Sequence, residues 1–163
     1  MIKKFVQYWL DLFYPLFKKF MPYQFYAYLS VGAVNTLLNI LLFVYIYRLC
    51  WQIESTYAQI SISSMALEIA TSISFLISAF TGFWLNKNFA FTESSDERKV
   101  IYSQFGKYFM ISAQGQLSDY LITKTLTIVL LLDARLAYLS STFIMITLNY
   151  FLQKYYTFRA EKA

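Results

Sequence analysis

Two short stretches place a lysine beside side-chain amides and between aromatic residues. They are FWLNKNFAF at residues 83–91 and YFLQKYYTF at residues 150–158. A lysine ammonium can bind a phosphate as a point charge, and neighbouring amides can add hydrogen-bond donors. The alternative is that each lysine only anchors the end of an apolar helix at a membrane surface. The candidate phosphate ligands are Lys87, Lys154, Asn86, Asn88 and Gln153.

A second set of polar side chains lies inside long apolar segments. Asn35 and Asn39 are four residues apart and Gln116 and Asp119 three apart, so each pair shares one helix face. In spans that begin at residues 26 and 106, Asn39 and Asp119 lie about 20 Å along the helix. That depth is past the middle of a hydrocarbon core about 30 Å thick.

A carboxylate at that depth costs at least about 2.5 kcal/mol on insertion. Asp119 is therefore expected to face the helix bundle or a wet cavity, and to be paired or protonated. The alternative role is interhelical hydrogen bonding, which contributes on average about 0.6 kcal/mol per bond. For Asn35 and Asn39 both roles stay open, whereas Asp119 is the stronger candidate for a functional group.

The composition is that of a membrane protein. Of the 163 residues, 58% are hydrophobic and 14% charged, and the mean hydropathy is +0.45, whereas soluble domains carry about 25% charged residues. With no histidine and one cysteine, the usual zinc sets and an internal disulfide are excluded. The basic residues flank apolar runs, which argues against nucleic-acid binding. Scattered acids and the lack of a Gly-rich phosphate loop argue against an enzyme, and no cofactor is expected.

Four segments are apolar and long enough to cross a membrane, which takes about 20 residues. A Ser/Thr-containing linker is expected at 48–64, a charged loop at 92–103 and a tight turn at Asp133-Ala134. The predicted fold is an all-α membrane protein with four transmembrane helices, at residues 26–47, 65–85, 106–131 and 136–153.

The first 22 residues are predicted to form an amphipathic helix at the membrane surface. At about 100° per residue, the apolar side chains of residues 1–20 occupy roughly 160° of arc, and the polar side chains take the other side. Asp11 interrupts the apolar run and no small-residue cleavage site follows, so a signal peptide is not expected. Packing of this helix on the bundle is the alternative. The domain organisation is then a helix at 1–22 and a four-helix domain at 23–163.

The distribution of basic residues predicts the orientation. Eleven of the fourteen lysines and arginines precede the first span, flank the middle loop or follow the last span. Because cytoplasmic segments carry the excess of lysine and arginine, both termini and the middle loop are expected in the cytoplasm, and the protein in the cytoplasmic (inner) membrane.

The chain contains an internal repeat. QFYAYLSVGAVNTLLN (24–39) aligns with QFGKYFMISAQGQLSD (104–119) at a shift of 80 residues, and the two lysine motifs align at a shift of 67. The halves are then 24–91 and 104–158. Each half holds two spans, so both enter the membrane from the same side, and the repeat consists of two parallel hairpins.

The stretch FYAYLSVGAVNTLLNILLF, followed by a span that ends FWLNKNFAF, resembles the GtrA-like family, and the second half resembles the same module. The resemblance covers roughly residues 24–158. It implies a small four-span protein of cell-surface polysaccharide synthesis that moves polyprenyl-phosphate-linked sugars across the cytoplasmic membrane, often beside a membrane glycosyltransferase. The second half departs from the pattern at Gln153, which replaces the first amide, and at Tyr155, which replaces Asn88.

Two other functions stay open. A glycosyltransferase anchor or subunit requires the surface helix and the basic cytoplasmic ends but not Asp119. A small multidrug-type antiporter requires an acid in its first helix, where this chain has Asn35 and Asn39. Four helices enclose little room for a sugar phosphate, so we expect a homo-oligomer, most simply a dimer.

Overall fold

The computed structural model describes residues 2–57, 63–95 and 97–159, and every regular element in these ranges is helical. Two five-residue π-helices follow the third and the fifth α-helix, at Asn86–Ala90 and Gln153–Thr157. The all-helical prediction is confirmed. The α-helices are α1 (Ile2–Phe17), α2 (Tyr23–Tyr57), α3 (Ser63–Leu85), α4 (Arg98–Ile128) and α5 (Ala134–Leu152).

Two helices extend beyond the apolar segments that predicted them. The second helix has 35 residues, a length of about 52 Å, against a hydrocarbon core of about 30 Å. A linker beginning at residue 48 was therefore the wrong expectation over residues 48–57, which are helical, while residues 58–62 lie outside the described part. The fourth helix begins at Arg98, inside the expected loop at 92–103. Hydropathy marks where apolar side chains end, but backbone hydrogen bonds continue the helix beyond that point.

The chain divides into two compact units, Met1–Ala90 and Phe91–Ala163. In the first unit, α2 packs against α1, α3 and the first π-helix; in the second, α4 packs against α5 and the second π-helix. Each unit therefore contains a helical hairpin with a π-helix at its end. Small buried residues such as Ala27, Ala70 and Ala137 let the helix backbones approach closely.

Two helical segments of the described chain are long and apolar enough to cross a membrane, Tyr23–Cys50 and Glu68–Ala90. Their large apolar side chains are mostly turned outward: Leu41 is 68% exposed and Phe80 60%. An outward apolar surface of this extent is typical of helices in contact with lipid.

Helix α1 forms as predicted, and its polar face bonds to the start of α2. Gln7 Nε2 donates to Tyr23 Oη at 2.6 Å, and the Tyr23 hydroxyl donates to Asp11 Oδ1 at 2.8 Å. The Phe17 ring stacks on Tyr26 at 5.3 Å between centroids. The helix is therefore docked on α2, as in the alternative interpretation. Other apolar side chains of the segment remain exposed, among them Phe5, Leu16 and Phe20.

Candidate functional site

The two lysine motifs adopt the same uncommon backbone conformation. The π-helices at Asn86–Ala90 and Gln153–Thr157 are offset by 67 residues at both ends, which is the shift between the repeated motifs. Isolated π-turns are rare and occur frequently at functional sites. Sequence reasoning identified the motifs but not this geometry, because no residue propensity indicates a π-turn.

In the first π-helix the amides bond to backbone carbonyls. Asn86 Nδ2 donates to Gly82 O at 2.9 Å, and Asn88 Nδ2 donates to Trp84 O at 2.7 Å. Both carbonyls lie in the last turn of α3, each four residues before the asparagine that binds it. Asn86 is buried, and its Oδ1 has no hydrogen-bond partner. Lys87 is half-buried.

In the second π-helix the lysine lies among tyrosines. Lys154 Nζ is 3.4 Å from Tyr150 Oη and 5.6 Å from the ring centroids of both Tyr150 and Tyr155. Cation–π attraction contributes about 0.5–1 kcal/mol at exposed sites, which favours this position of the ammonium. Gln153 is buried, with 4% of its surface exposed. Lys154 is half-buried against these tyrosines, while the neighbouring Gln153 amide is buried.

The aromatic residues that end the two motifs meet in the second unit. Phe91 stacks on Phe158 with 4.8 Å between centroids and 14° between ring planes. Tyr150 packs on Phe91 at 6.0 Å, and Tyr108 on Phe158 at 6.4 Å. Offset and stacked aromatic pairs stabilise their surroundings beyond their buried area, so this cluster holds the end of the second π-helix against α4.

Deeper in the first unit, the two asparagines of α2 bond to α3. Asn35 Nδ2 donates to Ser78 O at 3.0 Å, and Asn35 Oδ1 accepts from Thr81 Oγ1 at 2.7 Å. Asn39 Nδ2 donates to Ser78 Oγ at 2.8 Å. The structure thus brings both predicted residues into one interhelical network. The α3 partners were missed, although Ser78 and Thr81 are three residues apart in an apolar helix, which is a usable signal.

Deeper in the second unit, Asp119 bonds across to α5. Its Oδ1 accepts from Ser141 Oγ at 2.7 Å, and Thr123 Oγ1 lies 2.5 Å from the same hydroxyl. Ser141 is fully buried. The paired, bundle-facing position expected for Asp119 is the one observed. Gln116, by contrast, is exposed, because three residues of helix still separate two side chains by about 60° around the axis.

Asn149 is a polar residue of the interface that sequence reasoning missed. Its amide fills the space beside Gly115: a Cβ at that glycine would lie 2.9 Å from Asn149 Nδ2. The sequence does show a glycine in α4 and an asparagine in α5, each inside an apolar segment. Neither residue by itself indicates that the two are in contact.

In the part of the chain that the structure describes, six buried oxygens have no hydrogen-bond partner, and five of them lie in the second unit. The side chains of Gln104, Gln153 and Thr157 are each at least nine-tenths buried. A buried polar group without a hydrogen-bond partner costs about 1–3 kcal/mol. The helices of this interface therefore leave several of their own buried oxygens without donors. The unpartnered atoms are Gln104 Oε1, Thr142 Oγ1, Asn149 Oδ1, Gln153 Oε1 and Thr157 Oγ1, with Asn86 Oδ1 in the first unit.

The chemistry available to this arrangement is charge neutralisation and hydrogen bonding. Among the described residues, no three or more His, Cys, Asp and Glu side chains come together as a group that could hold a metal ion. The groups present in the described residues include ammonium, amide and hydroxyl groups and the Asp119 carboxylate between helices, all of which can bind polar ligands.

Comparison with known families gives one match. The profile described as "GtrA/DPMS, transmembrane domain" matches residues 27–158, a range that contains α2 from Ala27 onward, α3, α4, α5 and both π-helices. No curated protein and no solved structure matches the chain significantly.

Proposed function

The chain belongs to the GtrA/DPMS transmembrane-domain family, as its motifs predicted, and from this premise we propose that it moves a polyprenyl-phosphate-linked sugar across the cytoplasmic membrane. The prenyl tail of such a lipid stays in the bilayer, and only the charged, hydroxyl-rich head has to cross. A carrier of this kind needs cationic capture at the entry face and hydrogen-bonding groups farther in.

The observation that carries the proposal is the pair of lysine-bearing π-helices. Lys87 and Lys154 occupy the same position in two equivalent π-turns, each at the end of an apolar helix. A lysine at a membrane interface keeps its stem in hydrocarbon and its ammonium near the head groups. In this proposal the two ammonium groups neutralise the lipid phosphate, while Asn86, Asn88 and Gln153 shape the turns that hold them.

The deeper polar side chains supply the second requirement of such a carrier, which is hydrogen-bonding groups farther into the membrane. Asn35 and Asn39 bond within α2–α3, and Asp119 bonds within α4–α5. In the proposal these side chains, with Gln116 on the outer face of α4, exchange their present partners for the head group as it crosses. Modest binding at each point lets the head group leave again.

For the membrane topology we propose four spans, formed by α2, α3, α4 and α5 as two parallel hairpins, with α1 on the cytoplasmic surface. Of the last two helices, α4 is the more polar, because it carries Lys107, Asp119 and Lys124, and α5 is the shorter, with 19 residues. The excess of lysine and arginine at the termini and the middle loop supports a cytoplasmic location for both termini.

For the assembly we propose a homo-oligomer, with a dimer as its simplest form, that works beside a membrane glycosyltransferase. Two hairpins leave little enclosed volume for a sugar phosphate, which favours a path between protomers or at the lipid-facing side. The proposed role is transport without chemistry, because the sequence contains no histidine and no Gly-rich phosphate loop.

A second candidate function, an anchor for that glycosyltransferase, is favoured by one observation. The network of Asn35, Asn39, Ser78 and Thr81 bonds within itself, as expected of helix packing without a substrate. An anchor would tolerate Asp119→Asn, since a neutral amide oxygen still accepts the Ser141 hydroxyl bond. Transport is expected to fall in the same variant.

The experiment is reconstitution of the full chain into liposomes with a defined polyprenyl-phosphate sugar and a side-specific readout of the head group. Wild-type protein is expected to speed head-group crossing over protein-free liposomes, and Asp119→Asn to slow it. No acceleration by correctly folded wild-type protein would contradict transport and leave the anchor as the function.

A further inference from the structure

Asp119 ends a chain of three hydrogen-bonded oxygens between α4 and α5. Its Oδ1 accepts from Ser141 Oγ at 2.7 Å, and Ser141 Oγ lies 2.5 Å from Thr123 Oγ1. Ser141 is fully buried, whereas Thr123 is half-buried. Thr123 also lies four residues, about 6 Å, nearer than Asp119 to the end of α4. The chain of oxygens therefore leads from the carboxylate toward the turn between α4 and α5.

The hydrogen bonds of this chain can be complete whether Asp119 is charged or neutral. With a carboxylate, Thr123 donates to Ser141, and Ser141 donates to Asp119. With a carboxylic acid, Asp119 donates to Ser141. The Ser141 hydrogen then turns to Thr123, since either hydroxyl of that pair can be the donor, or to Tyr138 O, 3.0 Å from Ser141 Oγ. A change of protonation therefore needs only the rotation of hydroxyl groups.

The charge of Asp119 is balanced by hydrogen bonds. Among the described residues, no lysine or arginine forms an ion pair with it. On α4 the neighbouring titratable side chains, Tyr120 and Lys124, are exposed and lie about 100° and 140° around the helix. On α5 the Tyr138 side chain is 57% exposed. The second π-helix, which carries Lys154, begins about 18 Å along the helix axis from the network. Asp119 can therefore become neutral without breaking an ion pair.

A charged Asp119 opposes the substrate of the proposed function. A phosphate and a carboxylate repel each other, and the repulsion is strongest where the dielectric constant is low. A neutral carboxylic acid instead offers an O–H donor to a phosphate oxygen. The phosphate head group can therefore pass this level of the membrane when Asp119 carries a proton.

We infer that Asp119 takes up and releases a proton through Ser141 and Thr123, and that this exchange is coupled to the crossing of the phosphate head group. The coupling rests on the proposed function, whereas the proton exchange does not. In uptake, a hydronium ion gives a proton to Thr123 Oγ1 and becomes water. The Thr123 hydroxyl proton passes to Ser141 Oγ, and the Ser141 proton passes to Asp119 Oδ1. Each hydroxyl keeps one proton, the carboxylate becomes a carboxylic acid, and release reverses these steps.

Infrared difference spectroscopy of the full chain in nanodiscs tests the proton exchange without a substrate. Acidification is expected to produce a carboxylic-acid band that Asp119→Asn lacks, and transfer to heavy water shifts this band as the proton exchanges. Thr123→Val should slow the shift about two- to tenfold, the effect of one lost hydrogen bond, and Ser141→Ala should slow it as well. Thr125→Val is the matched control and should behave like wild type, because Thr125 bonds to Leu121 O of its own helix.

Head-group crossing in liposomes tests the coupling. If one proton is taken up per crossing, the wild-type rate should fall by up to about tenfold per pH unit once Asp119 is mostly deprotonated. The phosphodiester of the lipid-linked sugar stays singly charged over this range, so the dependence belongs to the protein. Asp119→Asn cannot change its charge, and its slower residual crossing should therefore be independent of pH.

The inference is overturned if Asp119→Asn keeps the full carboxylic-acid band of the wild type, or if both Thr123→Val and Ser141→Ala exchange as fast as Thr125→Val. Wild-type crossing that does not change with pH would remove the coupling and keep the proposed function. Proton exchange through Thr123 in a protein that moves no lipid would keep the proton site, and it would remove the coupling together with the proposed function.

Discussion

The two units place different polar groups on similar helical hairpins. Between α2 and α3 the bonded side chains are neutral, and Asn35, Asn39, Ser78 and Thr81 satisfy one another. Between α4 and α5 there is a carboxylate, Asp119, and several buried oxygens have no partner. Among the described residues, the four residues of the first network bond to one another, whereas five buried oxygens of the second unit have no hydrogen-bond partner.

The difference is clearest at two equivalent positions. At the shift of 80 residues Asn35 aligns with Gly115, and at the shift of 67 Gly82 aligns with Asn149. The first hairpin therefore carries its asparagine on the entering helix, and the second carries it on the returning helix, packed beside the glycine. The asparagine and the glycine have exchanged helices between the two hairpins. Such an exchange conserves the packed volume of the interface but changes which helix carries the amide.

The two hairpins are expected to have different roles in the proposed carrier. A neutral, satisfied network stabilises a hairpin, whereas an acid within an apolar interface costs energy and marks a functional site. We therefore expect substitution of polar residues in the second hairpin to lower the transport rate more than in the first. Substitution of polar residues in the first hairpin should lower the free energy of unfolding more than in the second.

The largest expected effect is that of Asp119→Leu compared with its counterpart Asn39→Leu. Loss of the carboxylate should slow head-group crossing about tenfold or more, equivalent to at least about 1.4 kcal/mol in the barrier. Asn39→Leu removes one interhelical bond of about 0.6 kcal/mol, and should slow crossing by about threefold. Liposome assays measure both rates, and binding of the lipid should be nearly unchanged. Wild-type rates in both variants would make these residues packing groups.

Next in size is the loss of either π-helix lysine. Removing one cation near a lipid phosphate costs about 1 kcal/mol, so Lys87→Ala and Lys154→Ala should each weaken binding of the lipid-linked sugar about fivefold. The loss should grow as salt is lowered, because screening of the wild-type attraction decreases. Lys99→Ala, an exposed lysine near the start of α4, is the charge-matched control. An equal loss in that control would assign the effect to general surface charge.

A pair of isosteric threonine substitutions should change stability in opposite directions. Thr81 donates to Asn35, and Thr81→Val should therefore lower the free energy of unfolding by about 1 kcal/mol. Thr157 Oγ1 is buried without a partner. Thr157→Val should therefore raise the free energy of unfolding by up to about 1 kcal/mol. Unfolding in mild detergent measures both. Destabilisation by Thr157→Val would show that a ligand or another group uses this hydroxyl.

The smallest effect is expected at two glycines of α4. Gly106 has open space where a Cβ would be placed, so Gly106→Ala should stabilise the helix by about 0.5–1 kcal/mol. At Gly115 the added Cβ meets the Asn149 amide, so Gly115→Ala should gain less or become unfavourable. A double-mutant cycle with Asn149→Ala isolates this contact, and additivity in that cycle would contradict it.

Much of the candidate site was predictable because its residue types are out of place in an apolar chain. Lys87, Lys154, Asn35, Asn39 and Asp119 stand out in segments where polar groups are costly, and the repeat marked the lysine motifs as equivalent. The partners Ser78, Thr81, Ser141 and Asn149 were not predicted. Small hydroxyl residues are common in membrane helices and bond to their own backbone, so they carry no distinctive signal.

The sequence by itself determined the membrane class, the helical fold, the family and the positions of the polar groups along the chain. These follow from hydropathy, period and motif, which are local properties of the residues. The tertiary structure alone decided that the lysine motifs are π-turns, that Asn86 and Asn88 bond to backbone carbonyls, that Gln116 is exposed while Asp119 bonds to Ser141, and that Asn149 fits beside Gly115. The bonds of Asn86 and Asn88 follow from the backbone of the π-turn itself. The contacts of Asn149 with Gly115 and of Asp119 with Ser141 depend on the rotation of one helix against its neighbour, which packing of the whole interface determines.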